Sequence, residues 1–63
     1  MSSARFDANL WRVVDRADGL RWATSALARA IESRDWHGIV EGRHLHDVYA
    51  VRAVQALAEW CAA

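Results

Sequence analysis

Three histidines, a carboxylate and a thiol fall in the second half of the chain, and they have the most obvious capacity for chemistry. His37, His44, His46, Asp47 and Cys61 are all of types that ligate zinc, as imidazole, carboxylate or thiolate. Their spacing argues against a shared ion. On a helix His44 and His46 point about 200° apart, whereas side chains that meet on one face stand three or four positions apart. Only His44 and Asp47 meet that condition, so neither a metal site nor a cofactor is expected.

Nucleophilic catalysis has still less to build on. A hydroxyl or thiol needs a base within hydrogen-bond reach, and the candidates are Thr24, Ser25, Ser33 and Cys61. The hydroxyls read as solvent-facing residues of a helix. Cys61 is flanked by Trp60 and alanines, with no nearby charge to lower its pKa. Gly19, Gly38 and Gly42 are too scattered for a phosphate loop, and so short a chain has little mass to close a pocket around a substrate. The expectation is a protein that is not an enzyme.

DNA binding is the alternative function, through a helix-turn-helix in which Arg43, His44 and His46 open the recognition helix. Two features oppose it. The connector from Gly38 to Gly42 is longer than the three- or four-residue turn of that motif. The reading helix also sets Asp47 and Glu59 against Arg43 and Arg52. With eight basic and eight acidic residues the formal net charge is zero, which leaves no field to gather phosphates.

Protein binding has the most support. Four tryptophans and Tyr49 occur in 63 residues, and each large aromatic buries about 150 to 250 Å². A core this small cannot enclose all five beside its aliphatic residues, so some must face outward, where tryptophan and tyrosine are enriched in binding hot spots. The row Leu45, Tyr49, Ala53, Ala56 and Trp60, with Trp22 nearby, is the expected contact surface. The partner is a second copy in a homodimer, or a larger protein to which this chain is an accessory or regulatory subunit of the antitoxin or phage type.

The elements that must position these residues are helical. The spacing of Phe6, Leu10, Val13, Val14 and Ala17 predicts a first helix over about 4–17, with Ser2 or Ser3 as N-cap and Asp7 in its first turn. Asp18 and Gly19 read as a break. A second helix, about 20–35, carries the stripe Leu20, Ala23, Leu27, Ala30 and Ile31, with Trp22 off that stripe and Trp11 at the edge of the preceding one. Asp35 to Arg43 reads as a loop in which Gly38 stops the helix and Ile39 and Val40 anchor the connection. From 44 to 62 the polar residues Arg52, Gln55 and Glu59 crowd one narrow arc. Val54, Leu57, Ala58 and Cys61 form a row beside the tyrosine-containing one. The expected fold is one all-α domain of three helices, with a long apolar C-terminal helix.

Length and composition agree with a chain that needs help. A domain this small buries only about 60% of its unfolded surface. One cysteine excludes an internal disulfide framework and suggests a reducing compartment. No stretch of about 20 apolar residues occurs, and the N-terminus lacks the basic start and apolar run of a secretory signal. A cytoplasmic protein is expected. All eight basic residues are arginine, which with the abundant alanine suggests a GC-rich bacterial or phage genome.

Overall fold

The structure, a computed structural model, describes residues 7–62. Within that span the chain forms two helices, α1 from Ala8 to Glu32 and α2 from Trp36 to Ala62. They lie antiparallel, with Ala30 beside Gly38, Leu27 beside Gly42 and Gly19 beside Tyr49. An ion pair from Arg12 to Glu59 spans the open end.

Three helices were expected and two are found. In place of separate helices over about 4–17 and 20–35, one helix runs from Ala8 to Glu32, because neither Asp18 nor Gly19 interrupts it. Gly19 keeps a negative φ and Asp18 sits on the exposed side, 3.8 Å from the Arg21 guanidinium. A glycine inside a helix costs about 1 kcal/mol relative to alanine, a penalty that packing on a neighbouring helix can outweigh. The predicted loop from Asp35 to Arg43 is also helical from Trp36 onward. Gly38 therefore lies in the opening turn of α2, not at the end of its predecessor. The long apolar C-terminal helix is corrected too: α2 spans 27 residues, and Glu41, Arg43, Asp47, Arg52, Gln55 and Glu59 run along it. No helix among the described residues is long and apolar enough to cross a membrane. Ser2, Ser3 and Phe6 lie outside the described residues.

Local chemistry explains where the helices begin and end. Asp7 is extended and caps α1, its Oδ1 accepting from the amides of Asn9 and Leu10 at 3.0 and 3.2 Å. This relieves two of the orphan donors of the first turn. At the other end the Arg34 amide donates to Ile31 and the Asp35 amide to Ala30, the paired bonds of a Schellman turn. That turn places its residue after the cap in the left-handed region, and here it is Arg34 at φ 55°. Asp35 then caps α2, its Oδ1 accepting from the Gly38 amide at 3.1 Å. Three residues thus end one helix and start the next.

The hairpin is one helix thick. Its principal extents are 52 × 19 × 10 Å, and 10 Å is about the diameter of a single helix. Small residues fill the seam between the helices. Ala23 and Ala56 are the only apolar residues buried among those described, at 1% and 3% exposure, and Gly42 is buried with them. Ala26, Ala30 and Ala53 are half-buried along the same line.

Candidate interaction surface

Small residues in the seam push the large ones to the flanks. Leu10, Trp11, Val14, Trp22, Ile31, Trp36, Val40, Leu45, Val51, Val54, Leu57 and Trp60 all remain exposed, Trp36 at 75%. Stable domains stack two or more layers around a shared core. Here a single layer leaves both of its broad faces uncovered.

The two faces differ in chemistry. Taking Ala23 as the α1 residue aimed at α2, and Tyr49 with Gly42 and Ala56 as the α2 residues aimed back, each helix turns about 100° per residue from that line. On one side α1 presents Leu10, Val13, Ala17, Leu20, Thr24, Leu27 and Ile31. Their spacing alternates three and four without a break, the repeat that keeps a seam of side chains facing a neighbouring helix. Beside them α2 presents Ile39, Ala50, Val54 and Leu57, interrupted by Arg43 and His46. The opposite face holds Trp11, Trp22, Val48 and Val51 among Asp15, Asp18, Arg29, Glu41, Arg52, Gln55 and Glu59. The first face is nearly continuous hydrocarbon; the second is mixed.

The row expected to form the contact surface is divided between the seam and the mixed face. Ala56 is buried, and Tyr49 and Ala53 are half-buried. A Cβ on Gly19 would lie 3.4 Å from Tyr49 Cδ1, ordinary packing distance. Trp22 meets the same tyrosine edge to face, with centroids 6.1 Å apart and planes at 85°. The Arg52 guanidinium stands 5.8 Å from the tyrosine centroid on this side. Leu45 and Trp60 each stay 39% exposed, so the row is covered by α1 along its middle and open at its two ends.

The polar residues that invited other chemistry are dispersed. His37 pairs with Glu41 and His46 with Asp47, each at 3.3 Å. No group of three or more His, Cys, Asp or Glu side chains converges on a point among the described residues. Arg43, His44 and His46 sit within the body of α2, pointing to different sides, rather than at a helix start. Cys61 is free and exposed. The most polar recess is an open groove of about 240 Å³ lined by Arg12, Arg16, Arg52, Gln55, Ala56 and Glu59. Its charge is partly answered within the chain, since Arg12 bonds Glu59 at 3.3 Å and Arg16 lies 3.8 Å from Asp15.

The alternating seam of α1 escaped the sequence reading because Gly19 divided it into two shorter stripes. The available signal was the register itself, since Ala17 and Leu20 keep the same three-four alternation across the glycine. No protein-family model, curated protein or solved structure matches this chain.

Proposed function

We propose that this chain is a non-catalytic interaction module that completes its fold by binding another protein chain through its helical faces. One observation carries this: the hairpin buries only alanine and glycine between its helices while all four tryptophans stand exposed. The indoles alone, at 39 to 75% exposure and about 200 to 250 Å² each, leave roughly 500 Å² open to water. Eight exposed aliphatic residues add to that surface. Burial of that surface is worth about 25 cal/mol per Å², and the seam offers little to replace it. A cytoplasmic setting fits the free thiol of Cys61.

Amide hydrogen exchange on the isolated chain at high dilution tests this. The expected result is weak protection throughout α1 and α2, because the alanine seam cannot hold two helices together alone. Strong protection of Ala23 and Ala56 amides at nanomolar concentration overturns it.

A further inference from the structure

Building on the interaction role just proposed, we infer that the occupant of the hydrocarbon face is a second copy of this chain, packed face to face as a symmetric four-helix dimer. The face is defined by Leu10, Val13, Leu20, Leu27 and Ile31 of α1 with Ile39, Val54 and Leu57 of α2, and Trp36 extends it at the turn end.

Area is the first argument. Aliphatic side chains offer about 100 Å² each and an indole about 200 Å². At the exposures seen for Leu10, Ile31, Trp36, Val54 and Leu57, with the half-buried Val13, Leu20, Leu27 and Ile39 added, this face offers about 400 to 500 Å² of apolar surface. A standard interface buries about 800 Å² per partner, of which roughly 60% is apolar. The face therefore supplies about what one protomer of a stable dimer contributes.

Geometry and charge are the second. The three-four spacing on α1 suits antiparallel helix packing at coiled-coil angles, and stacking two single-layer hairpins yields the two-layer bundle that neither forms alone. A twofold interface must be complementary to itself. Arg21 and Glu32 border this face on α1 and Asp47 borders it on α2, while Arg43 lies within it beside His46, so its charged residues are two of each sign. Two such rims carry no net repulsion, and neither do two chains of zero formal charge. The opposite face, interrupted by ion pairs and by the arginine-lined groove, stays in water.

Sedimentation equilibrium combined with helical circular dichroism at micromolar concentration tests the inference. The expected mass is twice the 7.1 kDa of the chain, with helicity lost on dilution as the dimer dissociates. Leu20→Glu and Leu27→Glu should abolish association together with helicity, while Val51→Glu, at an exposed position of the mixed face, leaves the chain dimeric. Because misfolding alone would give the same result for the first pair, Thr24→Leu supplies the opposite test. It fills the one polar gap in the α1 seam and should lower the dissociation constant tenfold or more. An unchanged constant for Thr24→Leu, or dissociation by Val51→Glu with Leu20→Glu still dimeric, overturns the assigned face. A monomeric chain that stays unfolded overturns the second copy as occupant but leaves the role in binding a foreign chain. A monomer that is folded and melts independently of concentration overturns both.

Discussion

The backbone Cα of Leu27 would lie 3.4 Å from a Cβ placed on Gly42, and its Cδ1 would lie 3.2 Å away. The two helices approach so closely there that a methyl group would fit only if the end of the Leu27 side chain gave way by a few tenths of an ångström. Gly19 makes the contrasting case, because a Cβ there would meet the Tyr49 ring at 3.4 and 3.6 Å.

The two glycines should therefore respond unequally to alanine. Gly19→Ala gains helix propensity without a clash and should stabilise by up to about 1 kcal/mol. Gly42→Ala gains the same propensity but must displace Leu27 Cδ1 at 3.2 Å, so its gain should be smaller than that of Gly19→Ala. Urea denaturation at matched protein concentration measures both. A Gly42→Ala variant more stable than Gly19→Ala would contradict the close approach.

The turn carries a removable strain. Arg34 occupies the left-handed region at φ 55°, a conformation that costs a residue with a side chain roughly 1 kcal/mol and glycine almost nothing. Arg34→Gly should raise stability by about 0.5 to 1 kcal/mol in thermal melts. No change would mean that the arginine side chain offsets the strain through a contact of its own.

Next to it, Asp35→Ala removes the carboxylate that caps α2 at the Gly38 amide. A loss of about 1 kcal/mol is expected. Asp35→Asn, which keeps an accepting oxygen, should recover most of it. Equal losses for the two variants would assign the effect to charge rather than to capping.

Trp22 and Tyr49 form an aromatic pair that crosses between the helices. A double-mutant cycle on Trp22→Leu and Tyr49→Leu should return a coupling of about 0.5 to 1.5 kcal/mol. The exposed Arg12–Glu59 pair should return less, about 0.2 to 1 kcal/mol, and should fade in high salt. A larger coupling at the ion pair would reverse the assignment of what aligns the two helices.

Helical class and amphipathic stripes were legible in the residues, as was the excess of aromatic surface. The topology was not, because glycine has two uses that look alike along a chain. Gly19, Gly38 and Gly42 resemble helix breaks, yet a Cβ on any of them would stand 3.4, 3.3 or 3.2 Å from a side chain of the opposite helix. The real turn, Ser33-Arg34-Asp35, contains no glycine, since Arg34 takes the conformation that glycine usually supplies. Asp35 was a readable N-cap but lay inside a stretch taken for loop. For the same reason the row from Leu45 to Trp60 was recognisably apolar, but its middle is claimed by α1. Only the packing of Gly19 against Tyr49 shows that.

The one-helix thickness of the hairpin bears on how long the protein survives once made. With Ala23, Gly42 and Ala56 the only buried residues among those described, a lone copy opens readily to proteases, and its resistance is lent by whatever lies against it. Copies made in small numbers would be cleared quickly, and those made in excess of that threshold would persist. Abundance would then set lifetime, giving the cell a steep dependence of function on dose.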